Sequence, residues 1–195
     1  MKRSYGELRI IGGRLRGRKW RIPDVPGLRP TPNRVRETLF NWLAPHIAGS
    51  RVLDLFAGSG ALGFEAMSRG AASVVLVEQE RAVLDMLRAT AAHFGLAQAR
   101  IEGGEALAFL HGQDAESFDM VFLDPPFGAG LLVPALRRLG ERKLLAPGGF
   151  CYVEQASAAT LPQLPAGWSV HRSGKAGDVG YHLLHAPQSD IPRDL

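Results

Sequence analysis

From residue 51 onward, short apolar runs alternate with stretches of helical periodicity, and that alternation leaves few folds open. "RVLDLF" reads as a strand, "ALGFEAMSRG" as a helix ending at a glycine, "SVVLVE" as a strand and "RAVLDMLRATAAHFG" as a long helix with another terminal glycine. "ARIEG" is a weak strand, "EALAFLHG" a helix, "MVFLD" a strand, "LVPALRRLGERKLL" a helix and "GFCYVE" a strand. Strands separated by helices build βαβ units and a parallel sheet. "WSVHRSGKAGDVGYHLLHA" reads as two strands across a turn, an antiparallel edge. The expected class is therefore α/β, a doubly wound, Rossmann-like sheet.

The chain before residue 51 differs in character. Leu8–Ile11 and Arg18–Ile22 are β-prone segments around "GGRLRG", which suits a hairpin. "PDVPGLRPTP" is a proline-rich linker that cannot be helical inside. A helix should begin near Pro32, with Val35, Leu39 and Leu43 on one apolar face, Trp42 beside it, and Arg34 and Arg36 largely off it. Residues 2–36 carry eleven Lys and Arg against Glu7 and Asp24, a surplus of +9, whereas residues 37–195 carry twelve against seventeen, a deficit of −5. A basic arm for a polyanion on a mildly acidic body fits that asymmetry. The expected organisation is a basic hairpin and linker over 1–30, a body over 31–186 and a disordered tail over 187–195, with residues 1–22 dispensable for folding.

No apolar run is long enough to span a bilayer, and no apolar h-region follows the basic start Met1-Lys2-Arg3-Ser4. Cys151 is the only cysteine, which excludes an internal disulfide, points to a reducing cytoplasm, and suits inert packing in "GGFCYVE". A monomer without membrane contact and without a metal is expected.

"VLDLFAGSGALG" places Gly58, Gly60 and Gly63 after the first strand of the alternating region, at the entry to a helix. Spacing and context match a nucleotide-binding turn, where glycines permit close backbone approach. The next strand ends in Glu78, placed for a ribose hydroxyl. Both NAD and S-adenosylmethionine contain that ribose. Asp54 favours the second, because a carboxylate at the turn would repel a diphosphate and suit an ammonium. Phe56, Ala57, Ser59 and Gln79 complete the expected cofactor lining. Glu105 in "GGEAL" could accept from the adenine amine with the Ala106 N–H near the ring, or could be a helix N-terminal acid.

The second motif is "DPPF", which ends the strand predicted to lie beside the first. Pro125 forces Asp124 into an extended conformation, and both Pro125 and Pro126 have restricted φ. The Asp124 carboxylate and the Pro125 carbonyl become two fixed acceptors that can hold and aim an exocyclic base amine. Phe127 offers a face on which a flipped base can stack.

With "DLFAGSG", "LVE" and "DPPF" together, the chain resembles the class I S-adenosylmethionine-dependent methyltransferases that modify exocyclic amines. More narrowly, "RIIGGRLRGRKW", "PGLRPTPNRVRETLFNWL" and "DLFAGSGALGFEAMSRGA" resemble the bacterial 16S ribosomal RNA guanine-N2 methyltransferases, the enzymes of guanine 966. The resemblance runs from about residue 8 to about residue 185. It implies a seven-stranded sheet, a small N-terminal extension that helps to hold RNA, and 16S ribosomal RNA as partner, within a 30S subunit or an assembly intermediate. Arg14, Arg16, Arg18, Lys19, Arg29, Arg34 and Arg36 are then the expected phosphate contacts. Asn33 departs from the family pattern where an aspartate is expected, and Glu105 where a shorter polar residue is commoner. Rival readings are a DNA or RNA adenine-N6 methyltransferase, a NAD-dependent oxidoreductase and a noncatalytic RNA-binding module.

Overall fold

The computed structural model of the chain describes residues 6–28 and 30–188. Seven strands form one sheet: β3 (Arg51–Asp54), β4 (Ser73–Glu78), β5 (Ala99–Gly103), β6 (Phe118–Leu123), β7 (Leu145–Ala156), β8 (Ser169–Ala176) and β9 (Val179–His185). Their spatial order is β5-β4-β3-β6-β7-β9-β8. The first five positions are joined by parallel pairs, and β9 runs antiparallel to both β7 and β8. This is the doubly wound sheet with an antiparallel edge that the alternation predicts. The chain moves outward from β3 to β5 and then returns to lay β6 against β3, so the order reverses between β3 and β6. Ligands of open α/β sheets bind at such a reversal, beyond the carboxyl ends of the strands.

Helices cover both faces. α1 (Asn33–Leu43), α2 (Ala61–Ser68) and α3 (Arg81–Phe94) share one core with Val52, Val74, Leu76 and Phe122. α4 (Ala106–His111) and α5 (Leu132–Glu141) flank the other core, built on Leu53, Val121, Leu123, Cys151 and Val153. Alternate residues of each strand feed opposite cores, as a sheet buried on both faces requires. Cys151 is fully buried, as expected of inert packing.

β1 (Gly6–Arg9) and β2 (Lys19–Ile22) form the antiparallel hairpin, with Leu8 opposite Trp20. The hairpin is no separable arm. Leu8, Ile10, Leu15, Trp20 and Ile22 are buried in the same core as α1, α2 and α3. Trp20 meets Phe64 and Phe94 edge-on, at centroid distances of 5.7 and 6.0 Å. Glu65 on α2 accepts from the Ile11 and Gly12 N–H groups, both at 2.8 Å. This packing argues against the expectation that residues 1–22 are dispensable for folding. Residues 1–5, including the basic start, lie outside the described residues. Of the predicted tail, 189–195 lie outside them as well, and the Pro187 carbonyl accepts from Gly148 N–H at 2.9 Å, which ties the tail's first residue to the body.

Arg36 requires a correction. Its side chain is 0% exposed, within a stripe of Val35, Arg36, Leu39, Phe40 and Leu43. The Arg36–Phe40 row widens the apolar face beyond the Val35–Leu39–Leu43 row that the sequence suggested. Nη2 donates to the Arg9 carbonyl at 3.1 Å and to Asn33 Oδ1 at 2.6 Å, and Nη1 lies 3.8 Å from Glu65. The guanidinium ties β1, α1 and α2 together through Nη2, while the buried Nε and Nη1 have no hydrogen-bond partner among the described residues. Buried so, Arg36 cannot hold a phosphate.

Candidate active site

β3 and β6 end side by side, Asp54 opposite Phe122, and both motifs therefore open at the reversal point. Gly58 and Gly60 hold left-handed backbone, with φ +47° and +75°. A Cβ at Gly60 would meet Phe64 at 2.5 Å, and one at Gly63 would meet Leu76 at 2.8 Å. These glycines let the turn and α2 settle directly onto the sheet.

Asp54 does not face outward as predicted. It is 1% exposed, and its Oδ2 accepts from Gly63 N–H at 2.9 Å. Burial pushes its carboxyl up to about 7; the Gly63 bond opposes this, while Asp124 and Glu78 add like charge. Asp54 is thus the acid that bridges strand and helix, not a carboxylate displayed to an ammonium. Glu78 also braces the turn. Its Oε2 accepts from Gly58 N–H at 3.0 Å and its Oε1 from Gln79 and Glu80 N–H, each at 2.8 Å. Two oxygens provide about four acceptor positions, so capacity for a ribose hydroxyl remains.

Phe56 is half-buried, Ala57 and Ser59 are buried, and Gln79 is exposed. The Ala57 N–H donates to the Val77 carbonyl at 2.9 Å, and the Ser59 carbonyl accepts from Trp20 Nε1 at 2.9 Å. The hairpin therefore props the glycine turn. Glu105 is exposed at the N-cap of α4 and makes no side-chain cap bond, and Ala106 is half-buried.

Asp124 follows β6, Pro125 is buried beneath it, Pro126 is exposed, and Phe127 is 49% exposed, an unusual display for a large aromatic side chain. Burial pushes the Asp124 carboxyl up to about 6, opposed by a hydrogen bond from Thr31 Oγ1 at 3.3 Å. Two neighbours escape the sequence reading. Thr31, inside the proline linker, reaches Asp124. Glu154, at the end of "GFCYVE", is buried, and Asp124 and Asp54 raise its carboxyl further through like charge. A signal for Glu154 was present: Asp54, Glu78, Asp124 and Glu154 are each an acid closing an apolar run.

The predicted phosphate contacts divide. Arg14, Arg16 and Arg34 are exposed. Lys19 pairs with Glu7 at 2.7 Å across the hairpin. Arg18 donates to the His93 carbonyl at 2.9 Å and stacks 4.7 Å from the Phe94 ring centre. Arg29 lies outside the described residues. Arg9 and Arg21, unremarked from sequence, point outward from the hairpin.

Comparison with known proteins agrees with this arrangement. The family described as conserved hypothetical protein 95 matches residues 8–185. Ribosomal RNA small subunit methyltransferase D of Escherichia coli is 49% identical over 178 residues, 91% of this chain and 89% of that protein. A solved structure of a putative methyltransferase from Escherichia coli superposes with a TM-score of 0.87 at 46% identity, covering 93% of this chain and 99% of that one. An RNA methyltransferase from Salinibacter ruber, solved in complex with S-adenosyl-L-homocysteine, shares the fold at 21% identity and a TM-score of 0.61, over 86% of this chain and 99% of that one. A motif pair at the reversal point and relatedness along nearly the whole chain lead to one assignment: this chain belongs to the ribosomal RNA small subunit methyltransferase D family.

Proposed function

We infer that this chain transfers a methyl group from S-adenosylmethionine to the exocyclic N2 amine of a guanine in 16S ribosomal RNA. The observation that carries the reading is the juxtaposition of "DPPF" after β6 with the glycine turn after β3, with Phe127 exposed beside them. The chemistry of this edge fits the cofactor. Glu78 and Asp124 are part-exposed at this edge, with Asp54 and Glu154 buried behind them, and a carboxylate-lined edge disfavours a diphosphate and suits a cationic ligand. Gly58, Gly60 and the backbone of Phe56 to Ser59 would hold the methionine end, Glu78 the ribose, and Glu105 and Ala106 the adenine. Bound there, the cofactor supplies an electrophilic methyl whose sulfonium leaves as a neutral thioether.

The protein's own groups do the positioning. Asp124 and the Pro125 carbonyl accept the two N–H groups of the amine, which localises the nitrogen lone pair toward the methyl. The Asp124 carboxylate takes up the proton that the amine sheds. Phe127 stacks on the base after it leaves its helix. Arg9, Arg14, Arg16, Arg21 and Arg34 hold phosphates around it, and the enzyme works in the cytoplasm as a monomer on a 30S subunit or its precursor. A NAD-dependent reading is opposed by the acidic edge, and a noncatalytic RNA-binding role leaves "DPPF" without a task. The test is transfer of labelled methyl from S-adenosylmethionine to 30S subunits lacking the modification, followed by digestion to nucleosides. Label in N2-methylguanosine supports the reading, and label in N6-methyladenosine overturns it.

A further inference from the structure

A hollow of about 360 Å³ opens on the sheet beside the end of β7, lined by Gln155, Ser173, Gly174, Lys175, Gly180 and His182. Ligand sites begin near this size, at roughly 300 Å³. Gly180 pairs with Gln155 on β7 and with Lys175 on β8, and His182 follows two residues on. A glycine inside a strand costs stability and often marks close approach by a ligand. Neither backbone nor packing asks for this one. Gly180 is not among the glycines with positive φ, and a Cβ there would meet nothing closer than Ser157 Cα, at 3.4 Å. Gly174 is the counter-example, since a Cβ on it would run into the Tyr181 ring. The polar groups of the rim keep spare capacity. Ser173 Oγ and His182 Nδ1 are 2.8 Å apart, which leaves His182 Nε2. Gln155 is 8% exposed and donates from Nε2 to the Ala159 carbonyl at 3.0 Å, which leaves its Oε1 and second N–H. Lys175 is exposed and forms no ion pair among the described residues. Cys151 and Val153 before Gln155, and Leu184 after His182, belong to the core beside α5. Gln155, Gly180 and His182 therefore share that face of the sheet, and the Phe127 loop leads from β6 to α5 on it. β7 lies between β6 and β9, which sets Gly180 about 10 Å from Asp124 at ordinary strand spacing.

Resting on the reading of RNA methyl transfer at Asp124, we propose that this hollow receives a nucleotide next to the target guanine in the same RNA strand. Its base enters over the Gly180 backbone, His182 Nε2 and the free Gln155 groups meet the base edge, and Lys175 takes the adjoining phosphate. Turning the guanine out onto Phe127 pulls its neighbours from their stack, and an unstacked base is held by a surface with polar groups at its edge. Position favours RNA over a protein partner, because the strand that delivers the guanine has to pass within about 10 Å of Asp124. The hollow also supplies what "DPPF" lacks. Two acceptors for N–H groups fit any exocyclic amine, whereas contacts to a neighbouring base edge read the sequence around it.

The test uses the intact enzyme and 30S subunits lacking the methyl group. Cys151 is fully buried and is the only cysteine, so Lys175→Cys can carry a short photocrosslinker at that position alone. Crosslinks are expected at 16S nucleotides flanking the methylated one. Crosslinks to a ribosomal protein or to RNA distant in sequence from that nucleotide, or none at all, overturn the proposal. Gly180→Val fills the hollow with a side chain that suits a strand. It should raise the KM for 30S subunits about tenfold, the worth of one held base, with S-adenosylmethionine affinity and melting temperature native. Lys175→Ala should raise that KM several-fold and make the salt dependence of RNA affinity shallower by about one unit. A KM within twofold of native in either normally melting variant overturns the proposal. Should Gly180→Val melt early, Lys175→Ala and the crosslinks decide. Methylation of a base other than guanine would instead remove the parent reading, and crosslinks flanking that base would still uphold the hollow.

Discussion

Two aspartates close neighbouring strands at the same end of the sheet, and they are treated differently. Asp54 accepts a backbone N–H from Gly63 and is sealed beneath the glycine turn. Asp124 is half-buried, and the described structure offers it one hydroxyl at 3.3 Å. An acid whose lone pairs are taken by internal donors organises the chain. One left with spare lone pairs, beside an exposed aromatic ring, is available to a ligand. The same contrast separates Arg36, spent on Arg9, Asn33 and Glu65, from Arg14 and Arg16, which face solvent.

The contrast can be broken most severely by removing residues 1–22. These supply Leu8, Ile10, Leu15, Trp20 and Ile22 to the core and the indole that holds the Ser59 carbonyl. At about 2 kcal/mol for each buried side chain, the loss is comparable to a whole domain's net stability, roughly 5–15 kcal/mol. The truncated protein should show no cooperative melting transition; a normal one would mean that the hairpin is an arm after all.

Arg36→Ala comes next. It leaves buried Glu65 with Arg69 as its one remaining cation, at 2.7 Å, and should cost about 3 kcal/mol in denaturant unfolding. A native midpoint would count Arg36 with the solvent-facing arginines.

Asp54→Asn keeps an acceptor for Gly63 and removes the charge. The folded pKa of Asp54, about 7, lies above the ordinary 3.8, so native stability from this group is full below the lower value and is lost as pH rises through the upper one. The variant should therefore gain on the native protein between pH 4 and about 8, as melting temperatures across that range would record. A difference that does not change with pH would mean that Asp54 is ionised throughout.

The smallest effect belongs to the Arg14→Ala, Arg16→Ala double variant. Melting should be unchanged, and the salt dependence of RNA affinity should become shallower by about two units, one per phosphate contact. An unchanged slope would move the RNA surface elsewhere.

Much of this was legible because it is local. Periodicity orders the strands and helices, the glycines mark the turn, and doubly wound order puts Asp124 beside the turn. The missing parts depend on contacts distant in sequence. Trp20 reaches Ser59, Thr31 reaches Asp124 across 93 residues, and the hairpin's backbone reaches Glu65. Arg36 was misplaced because charge suggests solvent, although Phe40, four residues on, marks its row as buried. Asp54 was misread because a strand-end acid looks the same in sequence whether its partner is a ligand or a backbone N–H.

The most direct test of the contrast is Asp124→Ala, assayed on one preparation for single-turnover methyl transfer to 30S subunits and for S-adenosylmethionine affinity by calorimetry. Loss of a preorganised polar group that acts in the transition state predicts a fall in turnover on the order of a hundredfold or more, with cofactor affinity near native. Near-native turnover, or a loss explained wholly by weaker cofactor binding, would contradict the account.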